Sequence, residues 1–195
     1  SLNLPQKYNF MRKFQQNGTS FHIIESGFFR GDGGVMFGPV PKKYWSAKYK
    51  VDEKNMCIMS LRCLFIVSGD RRILVDNGLG DKHASKLKFF QPFEQKDMRE
   101  EIRKIGYEPE EVTDVILTHL HFDHCGGSTV LNERQQAVPA YPNATYHLSL
   151  KQWQNYRNPS LFEQGSFFAD NIEPVYDAGQ LQFVLDDILL NEQVR

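Results

Sequence analysis

The chain has 195 residues, with 23 Lys and Arg against 24 Asp and Glu, a formal net charge of −1, 41% hydrophobic residues and 13% aromatic ones. That apolar share supports a packed core and excludes a disordered segment, and the length suits one domain or part of a larger one. The balanced charge gives no electrostatic footprint for nucleic acid or an anionic membrane surface.

Three cysteines, Cys57, Cys63 and Cys125, are odd in number and not spaced as CxxC. They do not make a disulfide framework and point to a reducing compartment, the cytoplasm. No run of ~18 apolar residues provides a membrane span, and no basic stretch precedes an apolar one as in a signal peptide. The start at Ser1 leaves room for a cleaved leader.

Residues 1–20 are polar and mixed, and read as an N-terminal arm or a peripheral helix. Phe21-His22-Ile23-Ile24 reads as a first strand. Gly31-Asp32-Gly33-Gly34 reads as a loop of tight turns, followed by Val35-Met36-Phe37-Gly38-Pro39. It is not a phosphate loop, because no GK[ST] follows and no GxGxxG joins a strand to a helix. Residues 56–68 and Arg72-Ile73-Leu74-Val75-Asp76 form an expected hairpin about the turn Ser68-Gly69-Asp70-Arg71. Lys82, Lys86 and Lys88 read as a solvated face.

Residues 95–105 have helical charge patterning and Gly106 supplies the stop. Pro109, Glu110 and Glu111 suit a first helical turn. Val115-Ile116-Leu117-Thr118 is a short apolar strand, and Ala144-Thr145-Tyr146-His147-Leu148 another. Ser149 with Gln152 forms a capping-box pattern for a helix to about Arg157. Leu181–Val184 and Ile188–Leu190 are the last apolar pair. Strands interleaved with helices give an α/β class.

The chemistry lies directly after the strand that ends at Thr118. His119, His121, Asp123 and His124 place four potential metal ligands within six residues. In an extended segment, His119 and His121 share a side. Gly126 and Gly127 allow a bend beyond them. Residues two apart diverge on a helix, so a loop after a strand is the expected geometry. Imidazole nitrogen with carboxylate oxygen suits zinc, and also iron or manganese.

The string His119-Leu120-His121-Phe122-Asp123-His124 resembles the metal-binding signature of the metallo-β-lactamase superfamily. Asp32–Gly38 with Pro41-Lys42, Ile73–Asp81, and Pro142-Asn143-Ala144 with Trp153 resemble its N-acyl-homoserine-lactonase-like branch, so that the likeness covers roughly residues 21–190. The resemblance implies an αββα sandwich, here mainly its N-terminal half, with residues 21–195 as the N-terminal portion of the domain. It implies two divalent ions per intact domain, His119 and His121 on the first, Asp123 and His124 on the second. Asp123 would also be catalytic, orienting the attacking water, and Asp76 would stand behind the ligands or simply end its strand. The implied reaction is hydrolysis of an ester, lactone or thioester by a metal-bound hydroxide. Histidine at 121, where the diiron oxygen-reducing branch usually has glutamate, favours the hydrolases.

The family also uses a later histidine in a Gly-His-Thr-type turn, a bridging aspartate and a last histidine. After His124 this chain has only His147, too early and inside an expected strand, so His147 reads as structural. The pattern predicts the N-terminal part of a longer hydrolase, with residues 191–195 starting the next strand. His22 and His83 read as surface or packing residues, and Cys125 as a small packing residue. Phe28, Phe29, Met36 and Phe37 either line a pocket for an apolar acyl chain or belong to the core. A small-molecule substrate is expected, without nucleic acid or membrane, and with a homo-oligomer or a C-terminal portion as associates. Two other readings stand beside the first: a phosphoester or organophosphate hydrolase of the same fold, and a non-catalytic binding module.

Overall fold

A computed structural model describes residues 12–194. Residues 1–11 of the expected arm lie outside the described residues. The rest of that arm is neither arm nor helix: Arg12–Gln16 is strand β1, paired antiparallel with β2 (Thr19–Asp32). The cause is local. Asn17 (φ 49) and Gly18 (φ 77) both take positive φ, which a two-residue hairpin turn with the twist of its strands requires.

β2 runs well past the expected Phe21–Ile24, with an irregularity between Glu25 and Gly27 that lets pairing resume. At its end the Asp32 side chain accepts hydrogen bonds from Gly34 N (2.8 Å) and Val35 N (3.1 Å). These cap the short helix α1 (Gly33–Phe37), where the sequence suggested a loop, and α2 (Lys42–Trp45) follows. Phe28 and Phe29 are buried and Phe37 stacks on Trp45 at 4.7 Å, so these aromatics are packed rather than arrayed around an open pocket.

β3 (Met56–Ser68) and β4 (Arg71–Val75) form the expected hairpin. The chain then crosses through α3 (Met98–Ile105), capped by Asp97 and ended by Gly106 at φ 104, and returns as β5 (Asp114–Leu117) parallel to β4. After α4 (Phe122–Cys125) come β6 (Thr129–Leu131) and β7 (Ala137–Pro139), a separate two-stranded ribbon. β8 (Thr145–Ser149) pairs parallel with β5 and leads into α5 (Leu150–Arg157), where Ser149 Oγ accepts from Gln152 N (3.2 Å). α6 (Glu173–Asp177) precedes β9 (Leu181–Val184), parallel to β8. The result is one seven-stranded mixed sheet, ordered β1-β2-β3-β4-β5-β8-β9.

Register explains the main core. Ile24 pairs with Cys63, Phe65 with Leu74, Leu74 with Val115, Val115 with Tyr146, and Leu117 with Leu148. All are buried on one face, and Met98 and Ile102 of α3 and Val175 of α6 pack on them. Each fully buried aliphatic of this kind stabilises the fold by about 1.5–3 kcal/mol. The other face alternates with it and carries Leu64, Val75 and Ile116 at intermediate exposure.

His147 lies there too, buried, its Nε2 2.8 Å from Asp114 Oδ1. That is the structural role read from the sequence. Ile188–Leu190 is not a strand. Asn191 and Gln193 instead dock on the sheet, Asn191 Nδ2 donating to Ser68 O (3.0 Å) and Thr19 Oγ1 to Gln193 Oε1 (2.8 Å). These polar bonds take the place of the strand start expected at 191–195.

Candidate metal centre

The site is built at the carboxyl ends of β4 and β5. Asp76 N donates to Ile116 O at 2.9 Å, extending the parallel pairing one residue beyond β4. Asp76 then takes φ 54, a left-handed conformation that a short polar side chain tolerates. Its carboxylate lies against Thr118 at the end of β5. Next in line, Leu120 (1% exposed) enters the main core and Phe122 (6%) enters a second cluster with Phe29, Leu61, Leu79 and Leu87. Burying these two alternates His119 and His121 away from the core.

Residues 122–125 are not the loop expected from the sequence. His121 O accepts from both His124 N (3.0 Å) and Cys125 N (3.1 Å), closing one helical turn that carries Asp123 and His124. Cys125 is buried, its Sγ 3.3 Å from Leu120 O, and acts as a packing residue.

The imidazoles of His119 and His121 are 4.6 Å apart between ring centroids, and those of His119 and His124 are 3.9 Å apart. His124 Nδ1 donates to Asp76 Oδ2 at 2.7 Å. A carboxylate has no proton to give, so Nδ1 carries the proton and Nε2 keeps its lone pair. Thr118 Oγ1 donates its one proton to the same carboxylate (2.8 Å) and therefore accepts from His119 Nδ1 (3.1 Å), which leaves His119 Nε2 with a lone pair as well. Thr118 N donates to Asp76 Oδ1 at 2.9 Å. Asp76 thus sets both tautomers, one directly and one through Thr118.

Burial disfavours a charged His124 ring, but the Asp76 hydrogen bond and the Asp123 and Asp76 charges outweigh it and raise its pKa. Burial lowers that of His119, helped by the neighbouring His124 and His121.

A second segment braces the first. Asn77 N donates to His124 O (2.8 Å), Asn77 Nδ2 to Ser128 Oγ (2.8 Å), and Gly127 N to Gly78 O (3.3 Å). A Cβ on Gly126 would collide with the Leu79 carbonyl, so only glycine allows this approach. Lys82, read from the sequence as solvated, is instead folded inward. Its Nζ donates to Gly126 O (2.5 Å) and Thr129 O (2.7 Å), and burial brings its pKa down to about 8 against the pull of Asp81, Cys125 and Asp170. Thr118, Asn77 and Lys82 were not singled out as site residues by spacing. Asn77 does sit within the stretch that resembles the family's segment before its first helix, and Lys82 directly follows it.

The profile of the metallo-beta-lactamase superfamily matches residues 62–193, more than half of the chain. The chain belongs to the metallo-beta-lactamase superfamily. Among curated members, an N-acyl homoserine lactonase from Bacillus cereus is 29% identical over 85 residues, 38% of this chain and 34% of that protein. A probable metal-dependent hydrolase from Staphylococcus aureus superposes with a TM-score of 0.81 at 24% identity, covering 92% of this chain and 63% of its own. The dizinc quorum-quenching lactonase AidC superposes at 0.65 with 18% identity, again covering 92% of this chain and 63% of that one. The chain therefore spans about a third of the curated relative and less than two thirds of these two solved structures.

The donor set suits the metals of a metallo-beta-lactamase superfamily protein. Two imidazoles have their Nδ1 protons committed to oxygen partners, and the enclosed Nε2 of His121 has no hydrogen-bond partner. A buried ring nitrogen left unpaired is costly, and an ion satisfies it. Among the described residues no three His, Cys, Asp or Glu side chains yet converge on one point. They stand in pairs: His124 Nε2 lies 3.5 Å from Asp123 Oδ2, and His121 Nε2 lies 3.5 Å from Glu163 Oε1. His22 and His83 are buried elsewhere, His83 edge-on to Phe168 at 4.6 Å.

Proposed function

We propose that the chain carries the HxHxDH part of a two-metal hydrolase that cleaves an ester, lactone or thioester with water. The observation that supports this reading best is the Asp76 carboxylate, which directs the proton of His124 and, through Thr118, that of His119 away from Nε2. Such a carboxylate behind ligating histidines orients the rings and raises their basicity. His119 and His121 would hold one ion, and Asp123 and His124 the other. Zinc fits this donor set, with iron or manganese as alternatives. Two divalent ions would supply a Lewis acid for the carbonyl oxygen and bring the pKa of water toward ~7.

The residues do the rest. Asp123, at the first turn of α4 and partly open to solvent, accepts a hydrogen bond from the attacking water and aims it. Asp76 and Thr118 keep the rings from turning. The lactonase relative favours a lactone over other carbonyl substrates.

The test is a panel of lactone, ester, thioester and phosphotriester substrates given to the zinc-loaded chain. Lactone turnover that disappears in His119→Ala is the expected outcome. Phosphotriester turnover alone would move the reading to organophosphate chemistry. Failure to take up metal after reconstitution, with no turnover, would leave a binding module.

A further inference from the structure

We infer that the cavity between the segment after β4 and the head of α3 is a second binding site, one that takes a small uncharged primary amide. It stands apart from the metal reading, since none of His119, His121, Asp123 and His124 lines it. Its volume is about 120 Å³, and its walls come from within the stretches 77–81, 95–99 and 127–130 together with Tyr141. A water molecule needs roughly 10–15 Å³ of such space, so the cavity has room for a molecule of several non-hydrogen atoms.

Two side chains on its wall are buried with a polar atom unpaired. Asn77 is 2% exposed and Tyr141 0%. Asn77 Nδ2 is spent on Ser128 Oγ (2.8 Å), which leaves Oδ1 without a donor. The Tyr141 hydroxyl has no partner either. Burial raises its pKa well above the ordinary value, so it keeps its proton and can donate. The charges of Asp97 and Arg99 act on that hydroxyl, and the charge of Asp81 acts on Arg99, so these groups look onto one space. Unpaired polar atoms in the interior are costly, and a ligand that pairs them recovers the cost.

Their pattern selects the ligand. Thr129 Oγ1, on the same wall, gives its proton to Asp170 O (2.6 Å) and can only accept. The wall thus offers two acceptors, Asn77 Oδ1 and Thr129 Oγ1, and one donor, the Tyr141 hydroxyl. A primary amide carries the complement, two N–H donors and a carbonyl oxygen. The rim favours no ion. Asp81 and Asp97 stand against Lys96 and Arg99, and Arg99 holds Asp97 through Nε (3.1 Å) and Nη2 (2.6 Å). Seating a charged group against the buried wall would cost more than seating an amide.

The experiment titrates the nitrogen-15-labelled chain with acetamide, acetate and N,N-dimethylacetamide and follows backbone amide shifts. Acetate matches acetamide in shape but is charged, and dimethylacetamide has no N–H to give. Acetamide should give saturable shifts at Gly80, Gly127 and Tyr141, and acetate should bind more than about tenfold more weakly. Dimethylacetamide should give no saturable shift there. Tyr141→Phe keeps the ring and removes the hydroxyl, so it should weaken acetamide about three- to tenfold. Tyr176→Phe, at a position 47% exposed, should bind like the unaltered chain. Acetamide binding that is no tighter than acetate, or equal in Tyr141→Phe, would overturn the assignment. So would the absence of saturable shifts, which would leave a cavity filled by water alone.

Discussion

At the scale of single residues the site turns on Asp76, which acts without belonging to the ligand string. Its carboxylate accepts from His124 Nδ1, Thr118 Oγ1 and Thr118 N. Asp76→Asn nearly preserves size but presents an amide that can donate, so the wrong tautomer of His124 becomes accessible. Zinc affinity should fall about 10- to 100-fold, with a smaller change in urea midpoint than in affinity. A variant that binds zinc like the unaltered chain would remove Asp76 from this role. The Asp114–His147 pair is a different case, buried, with Asp114 at the start of β5 and the ligands beyond its other end. Burial pushes the Asp114 carboxyl up, but bonds from His147 and Thr113 and the Arg71 charge outweigh it and hold its pKa below the ordinary value. A carboxyl depressed in the fold contributes stability above its unfolded pKa of about 3.9, lost as pH falls through the folded value. Asp114→Asn should cost about 3 kcal/mol at pH 7. That deficit should shrink below about pH 4, where the unaltered chain loses the same contribution, as urea titrations across pH would reveal.

At the scale of elements, what the sequence made legible was the part that depends on neighbours in the chain. The β3–β4 hairpin, α3 with its Gly106 stop, and Ser149 at the head of α5 follow local patterns and appear where those patterns place them. Asn17-Gly18 is an equally local signal, but the polar residues around it mask the hairpin it turns. The helical turn at 122–125 was hidden because two histidines spaced by one residue suggest an extended segment, and that spacing ends at His121. Lys82 and Glu163 could not be read locally at all, since their partners lie far along the chain. Lys82 carries a prediction of its own. It clasps the carbonyls of Gly126 and Thr129, and so ties the segment after β4 to the turn after α4. Lys82→Met keeps the apolar stem but leaves both carbonyls short of a donor. A loss of about 1–3 kcal/mol is expected, read as a lower urea midpoint at unchanged slope. A midpoint shift within ~0.5 kcal/mol of zero would mean that water replaces the ammonium without cost.

At the scale of the whole molecule, β4 is where the sheet changes character, antiparallel to β3 on one side and parallel to β5 on the other. Open α/β sheets place ligand sites outside the carboxyl ends of their parallel strands. Here that edge gathers Asp76, Thr118 and all of His119–His124, drawn from two adjacent strands and one helical turn. An ion held there would bind the folded chain at a place where β4, β5 and α4 must all be in register. Binding to the native state alone stabilises it by about 2.7 kcal/mol when free metal is 100-fold above Kd. For a chain of this size that corresponds to a rise in Tm of roughly 5–10 °C. Zinc should therefore raise the thermal midpoint of the unaltered chain in a concentration-dependent way, and EDTA should reverse it. His119→Ala should show little of the rise at the same zinc concentration. The unfolded chain retains the HxHxDH string and binds some zinc through it, which reduces the shift. An equal shift in the variant would therefore place the binding in sites unrelated to the fold, and the edge formed by β4, β5 and α4 would lose its claim to be the metal centre.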